Sequence, residues 1–161
     1  MKIPLILNGE KKVFDVDPSD SLLSVLRKEK ITSVKCGCQK GLCGNCMVLI
    51  ENKPVPSCIV HMCVLRDAKV KTLEAVKTDP VYKDIMKGFS MANINLCGYC
   101  DAGKILTAYS ILTEYYRPEV KIIYEAISSL DLCCTDSDTL VNGILYSIAE
   151  KHKREGRRNG N

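Results

Sequence analysis

The stretch CGCQKGLCGNC, residues 36–46, decides the fold of the first half of this chain. Within it, Cys38, Cys43 and Cys46 follow the pattern C-x4-C-x2-C, and Cys58 comes eleven residues further on. Glycines separate these cysteines, which suits a backbone that takes unusual dihedral angles and comes close to whatever the thiols hold. The stretch shows no apolar periodicity. We therefore expect an irregular loop that presents three thiols, with a fourth thiol supplied by a neighbouring strand.

The spacing of the four cysteines is the ligand spacing of a plant-type [2Fe-2S] ferredoxin, in which four thiolates surround two irons. Burial as small apolar residues is the alternative for free cysteines, but the interleaved glycines favour the metal. Two further cysteines, Cys36 and Cys63, fall outside the pattern, and we expect them to be ordinary packing residues. We expect His61 to be a polar packing residue at a strand end rather than a metal ligand.

The composition is that of a globular protein. Of 161 residues, 46% are apolar, 26% are charged and ten are cysteine, which suits one large or two small domains. No apolar run approaches the roughly 18 to 20 residues that a membrane span needs, and the amino terminus lacks the regions of a signal peptide. We therefore expect a cytoplasmic protein with no membrane partner. Because the cytoplasm keeps thiols reduced, its ten cysteines indicate metal binding or redox chemistry.

The net charge of +4 comes from the carboxyl-terminal end of the chain. Residues 151–158, KHKREGRR, hold five Lys or Arg and one Glu, and the rest of the chain has as many acidic as basic residues. Binding to nucleic acid needs a basic face on the folded body, so we expect no nucleic-acid partner. We expect residues 153–161 to form a disordered basic tail, following domains at residues 1–76 and 77–152.

The first domain is predicted to be a small sheet crossed by one helix. Asn8-Gly9, between the apolar runs at 3–7 and 12–16, is a strong hairpin signal. Ser19 is the predicted cap of a helix whose apolar residues recur between 22 and 26. Further strands are predicted at 47–50, 55–58 and 70–72.

The second domain is predicted to be a bundle of four helices, the first of which begins at Pro80 with Asp79 as its cap. Four more thiols occur here. Cys97 and Cys100 form a C-x2-C pair before the second helix, and Cys133-Cys134 lies between the third and fourth helices. Bundles build metal sites between facing helices, so this set predicts a second metal centre. Chance or a redox switch is the alternative for the adjacent pair.

In this order and spacing, the motifs resemble those of the iron–sulfur subunits of molybdenum hydroxylases, the group of xanthine dehydrogenase, aldehyde oxidase and carbon monoxide dehydrogenase. The resemblance covers nearly the whole chain. Its landmarks are Val34-Lys35, Gly37-Cys38, Gly41, Cys43-Gly44, Cys46, Ser57-Cys58, Thr72-Leu73-Glu74, Cys97-Gly98-Tyr99-Cys100, Gly103 and Cys134-Thr135. It implies an α+β fold, with an N-terminal β-grasp [2Fe-2S] ferredoxin-like domain followed by an all-α four-helix-bundle domain that binds a second [2Fe-2S] cluster.

The resemblance also implies ligands, cofactors and partners. The cluster nearer a flavin would be held by Cys38, Cys43, Cys46 and Cys58. The cluster nearer a molybdopterin would be held by Cys97, Cys100, Cys133 and Cys134. Molybdopterin and FAD are expected on partners, a large molybdopterin-binding subunit and an FAD-binding subunit. This chain has no glycine-rich nucleotide loop and no nucleophile motif, so we expect a non-catalytic subunit that relays electrons from the molybdopterin to the FAD.

The chain departs from the family pattern at two places. Leu96 stands where the family has a Gln whose amide contacts the pterin, and leucine has no polar atom for that contact. The family motif Cys-Arg-Cys-Thr-Gly-Tyr is replaced by a sequence that starts Leu132-Cys133-Cys134, and an alignment without a gap puts Leu132 in a ligand position. These departures favour an alternative, a stand-alone ferredoxin-like electron carrier with only the first cluster. A zinc-ribbon binding module is a third alternative, since paired cysteines also suit tetrahedral zinc.

Overall fold

A mixed five-stranded sheet forms the first domain of the chain, of which the computed structural model describes residues 1–158. The strand order is β2-β1-β5-β3-β4, with β5 parallel to β1 and the other neighbours antiparallel. The strands are β1 (Lys2–Leu7), β2 (Glu10–Asp15), β3 (Met47–Ile50), β4 (Lys53–Pro56) and β5 (Lys69–Lys71). Together with one crossing helix, α1 (Leu22–Lys28), this is the small sheet that the sequence predicts.

The hairpin between β1 and β2 is confirmed. Asn8 and Gly9 both have positive φ angles, 53° and 90°, as a type I′ turn requires. The Asn8 side chain also bonds to the residue after β5, because its Oδ1 accepts from the Thr72 N–H at 2.8 Å and its Nδ2 donates to Thr72 Oγ1 at 3.1 Å. The tight turn thereby fixes where the sheet domain ends.

The predicted cap of α1 is wrong by two residues. Ser21, and not Ser19, is the N-cap, since its hydroxyl oxygen accepts from the Ser24 N–H at 3.2 Å. The Ser19 hydroxyl donates to the Asp17 carboxylate in the preceding turn. Ser21 also forms an isolated bridge with His61, so a tertiary pairing determines which serine caps the helix.

The second domain is helical, and its four long helices are α3 to α6. The helices of this half are α2 (Leu73–Val76), α3 (Pro80–Met91), α4 (Asp101–Glu114), α5 (Val120–Ile127) and α6 (Ser137–Arg158). Asp79 caps α3 as predicted, because its Oδ1 accepts from the Val81 N–H at 2.9 Å. Among the helices of residues 1–158, none is both long enough and apolar enough to cross a membrane. The sheet in the first half and the helices in the second half confirm the predicted α+β fold class.

Helices α3 and α6 pack closely because glycine lies at their contact. A Cβ atom on Gly88 would clash with both the backbone nitrogen and the hydroxyl of Ser147, and it would lie 2.6 Å from the Gly143 carbonyl oxygen. The Ser147 hydroxyl donates to Gly143 O at 2.7 Å inside this contact. The helices approach more closely than any larger side chain at position 88 permits.

The basic end of the chain differs from the prediction of a disordered tail. Helix α6 continues through Arg158, and residues 159–161 lie outside the described residues. The Arg154 guanidinium binds the buried Asp84 carboxylate of α3 with contacts of 2.8 to 3.2 Å. The His152 ring stacks on Tyr116 with 4.2 Å between ring centroids. These partners are distant in sequence, so the charge run alone does not reveal them.

Strand β3 joins the two domains, and both of its faces are buried. Val48 packs in the core of the sheet domain, whereas Met47 and Leu49 pack in the core of the helical domain. The two domains therefore share a strand rather than a flexible linker, and the loop 36–46 that precedes β3 lies beside α4.

Candidate metal centres

Three cysteines of the first set lie in the loop that ends at β3, and the fourth, Cys58, follows β4. Cys38 and Cys43 are half-buried, Cys46 is buried, and Gly41 and Gly44 both have a φ of 74°, a backbone conformation that favours glycine. The loop therefore takes the irregular form that its glycines predict.

Cys58 lies in a short 3₁₀ turn, Ser57–Ile59, and not at the end of a strand over 55–58 as predicted. Strand β4 ends at Pro56, which has no N–H to continue the ladder. The next residue turns back, because the Ser57 N–H and hydroxyl both donate to the Cys46 carbonyl at 3.1 and 2.7 Å. This reversal brings Cys58 to the loop that carries the other three thiols.

Backbone N–H groups are directed at the sulfurs of the first set. Those of Lys40, Leu42 and Cys43 donate to Cys38 Sγ at 3.3, 3.3 and 3.4 Å. These bonds favour the thiolate and lower the pKa of Cys38 to about 6. Cys58 Sγ accepts from the Gly41 N–H at 3.3 Å, but burial opposes its charge and raises its pKa to about 11. A bound metal cation supplies the charge that lets all four sulfurs ionise together, so the donor set fits a cluster.

The second cysteine set converges on one point. The sulfurs of Cys97, Cys100, Cys133 and Cys134 all lie within 4.8 Å of one another. Cys100 is the N-cap residue of α4 and is buried, and its Sγ lies 3.1 Å from those of Cys97 and Cys134. The structure therefore brings together the four thiols that the sequence proposes as a second ligand set.

The adjacent cysteines both reach this point because they lie outside regular structure. Residues 128–136 connect α5 to α6 without helical periodicity, and Asp136 caps α6 by accepting from the Thr139 N–H at 2.9 Å. Leu132 packs against the helical core instead. The gap-free alignment that gives Leu132 a ligand position thus does not describe where its side chain lies.

The pKa values of the thiols of the second set are shifted in opposite directions. The side chain and backbone N–H of Cys100, with the N–H of Tyr99, lower the pKa of Cys97 to about 6. The sulfur of Cys100 raises the pKa of Cys133 to about 12, and burial raises that of Cys134. Four neighbouring thiols without a cation cannot all ionise. This donor chemistry suits a metal centre better than a free dithiol switch.

Lys104 is a residue of this site that the sequence reasoning missed. Only 1% of it is exposed, and its Nζ donates to the Asp131 carbonyl at 3.1 Å. Burial favours its neutral amine, but the nearby thiols of Cys100, Cys133 and Cys134 outweigh burial and raise the pKa of Lys104. The available signal was a lysine four residues after Cys100, on the same face of α4 as that ligand.

Two hydrogen bonds, which the sequence reasoning also missed, connect the cysteine loops across the domains. The Asp131 N–H donates to the Cys43 carbonyl at 3.2 Å, and the Tyr99 hydroxyl donates to the Cys36 carbonyl at 2.9 Å. Gly103 allows the same approach, since a Cβ there would lie 2.7 Å from the Gly44 carbonyl oxygen. The two candidate centres are therefore held in a fixed relation.

The remaining predicted residues lie at the surface or in the core. Cys36 and Cys63 are exposed, so they are not the buried packing residues that the sequence suggests. The His61 ring nitrogen Nδ1 is 2.9 Å from the Ser19 carbonyl, a polar contact as predicted. Leu96 packs against the helical core, so its side chain offers an apolar surface and no polar contact to a pterin.

Family models match both halves of the chain. A model described as a 2Fe-2S iron-sulfur cluster binding domain matches residues 5–73, and one described as a [2Fe-2S] binding domain matches residues 72–145. Each match contains one of the two cysteine sets. The chain thus has two [2Fe-2S]-binding domains, which favours two iron–sulfur centres over the zinc-ribbon and single-cluster alternatives.

Known proteins resemble the whole chain. It is 34% identical over 148 residues to the nicotinate dehydrogenase small FeS subunit of Eubacterium barkeri, a match that covers 91% of this chain and 94% of that one. A chain of quinoline 2-oxidoreductase from Pseudomonas putida 86 has a TM-score of 0.83 at 30% identity, covering 97% of both chains. The aldehyde oxidoreductase from Desulfovibrio desulfuricans has a TM-score of 0.82 at 29% identity, and the match covers 94% of this chain and 17% of that one. This chain therefore belongs to the iron–sulfur small subunits of the molybdenum hydroxylase (xanthine oxidase) family, the non-catalytic electron-transfer subunits of these oxidoreductases.

Proposed function

We propose that electrons pass one at a time from a large molybdopterin-binding subunit through the second centre, then through the first, to an FAD-binding subunit. The first cluster is held by Cys38, Cys43, Cys46 and Cys58. The second cluster is held by Cys97, Cys100, Cys133 and Cys134. The observation that carries this proposal is the convergence of the second set, whose four sulfurs lie within 4.8 Å of one another despite the adjacent pair.

The contact between the two cysteine loops supports a relay. When bound, a [2Fe-2S] cluster takes up and releases one electron. This chain's own contribution is to hold two such centres at a constant distance and orientation relative to each other. The Asp131 N–H bond to the Cys43 carbonyl connects a proposed ligand of the first cluster to a residue two positions before Cys133. A free carrier with a purely structural helical half has no need of this contact.

Exposed apolar side chains around the first centre support a partner there. Leu42 and Ile59, each next in sequence to a proposed ligand, are 69% and 54% exposed, and Ile59 lies against Gly41, the residue before Leu42. Exposed apolar surface of this kind marks interaction sites. We propose that the FAD-binding subunit covers them. Because thiolate ligands persist in a reducing compartment, we propose that the complex works in the cytoplasm.

Iron analysis of the purified complex tests the ligand assignment. Two clusters predict about four irons per chain and two paramagnetic signals after anaerobic reduction. Cys133→Ser is expected to lose one signal and about half of the iron, because it removes a thiolate from the second set. Cys63→Ser is the matched control, since Cys63 is an exposed cysteine outside both sets. Full iron and both signals in Cys133→Ser would show that this residue is not a ligand.

A further inference from the structure

Lys104 is among the most deeply buried large side chains of the molecule. Lysine is almost never fully buried without a partner. It lies four residues after Cys100, so the two residues share a face of α4. A long helical side chain leans back toward the amino end of its helix, which carries the Lys104 amine over the turn that holds Cys100.

The Lys104 amine lies near the thiols of Cys100, Cys133 and Cys134 and bonds to one carbonyl. Its hydrogen bond goes to the Asp131 carbonyl at 3.1 Å, just before Leu132 and the adjacent cysteines. Within residues 1–158, no carboxylate lies at ion-pair distance from Lys104. The negative charge that compensates this buried cation is therefore that of the thiolates of the second set.

We propose that the positive charge of Lys104 raises the reduction potential of the second cluster. Reduction adds one electron to the cluster, from [2Fe-2S]²⁺ to [2Fe-2S]⁺, and breaks no bond to the protein. The added negative charge is stabilised by a cation held in a water-poor interior. Lys104 thus places a cation beside a cysteine pair that lacks the Arg of the family motif. This inference rests on the proposed assignment of the second cluster.

Potentiometric titration of the intact complex, with the signals of both clusters followed separately, tests this role. Lys104→Gln keeps a hydrogen-bond donor but removes the charge. We expect it to lower the equilibrium constant for one-electron reduction of the second cluster at least tenfold, which lowers its reduction potential by 59 mV. The potential of the first cluster should not change. Lys104→Arg restores the charge and is expected to restore most of the potential.

Lys151→Gln is the matched control, because Lys151 is a half-buried lysine of the helical domain that also donates to a backbone carbonyl, that of Leu112. It is expected to move neither potential. Loss of the second cluster in Lys104→Gln but not in Lys104→Arg also supports a required cation. Loss in both variants, or an unshifted potential in Lys104→Gln with full iron, overturns the proposal. Failure of the ligand assignment would be separate, because the unsubstituted complex would then show only one cluster.

Discussion

At the scale of single residues, Tyr109 connects the helical core to the start of α3. Its hydroxyl donates to Asp79 Oδ2 at 2.9 Å, while Asp79 Oδ1 caps α3. Burial and the negative charge of Asp79 together raise the pKa of Tyr109 to about 12. The Asp79 carboxylate therefore binds both α3 and α4, and its bond to Tyr109 requires the proton of the phenol.

We expect Tyr109→Phe to lower the free energy of unfolding by about 1.5 to 3 kcal/mol at neutral pH, the range for a hydrogen bond to a charged group. Because the folded pKa of Tyr109 is raised above the ordinary value of 10.0, its contribution is complete below pH 10 and is lost as the pH rises toward 12. Urea unfolding from neutral to alkaline pH measures this. The difference from the unsubstituted chain should shrink above pH 10, and a constant difference would contradict the role of the phenol proton. Tyr146→Phe, at an exposed tyrosine, is the control.

At the scale of elements, the sequence predicts structure where the signal is local. The Asn8-Gly9 turn and the Asp79-Pro80 helix start depend on their own backbone preferences, and both are confirmed. The continuation of α6 depends on distant partners instead. Arg154 binds Asp84, 70 residues earlier in the chain, so no window of sequence around the basic run contains the residue that orders it.

The contact between α3 and α6 gives a prediction about an element. Gly88→Ala is expected to destabilise the helical domain by about 1 to 3 kcal/mol, because its methyl group would meet the backbone of Ser147 and the carbonyl of Gly143. Gly156→Ala in α6 is the matched control, since a Cβ there meets nothing within 4 Å. This control should stabilise the chain by about 0.5 to 1 kcal/mol through helix propensity. Thermal unfolding measures both, and equal effects of the two substitutions would contradict the close packing.

At the scale of the whole molecule, both cysteine sets were predicted from spacing, and their grouping is what the structure adds. Spacing identifies Cys97 and Cys100 because ligands from one loop must be near in sequence. Spacing does not show that Leu132 packs against the helical core while Cys133 and Cys134 converge on Cys97 and Cys100, because an irregular connection has no periodicity from which side-chain directions could be predicted. Lys104 was missed for a related reason, because its partners come from a different segment.

The contact between the two domains gives the last prediction. Gly103 of α4 lies against the loop of the first centre, and a Cβ there would come within 2.7 Å of the Gly44 carbonyl oxygen and 3.2 Å of Leu130 Cδ2. Gly103→Ala must therefore push α4 away from that loop, at a cost of about 1 to 3 kcal/mol.

Because β3 contributes to both cores, the unsubstituted chain is expected to unfold in one transition, with the loss of both cluster signals coinciding with the loss of helix. Gly103→Ala should separate these events, since the loop of the first centre no longer rests on α4. Calorimetry combined with visible absorption of the clusters measures this, and Gly156→Ala should keep a single transition. A single, merely shifted transition in Gly103→Ala would mean that the shared strand and the two hydrogen bonds between the cysteine loops couple the domains without the close approach at Gly103.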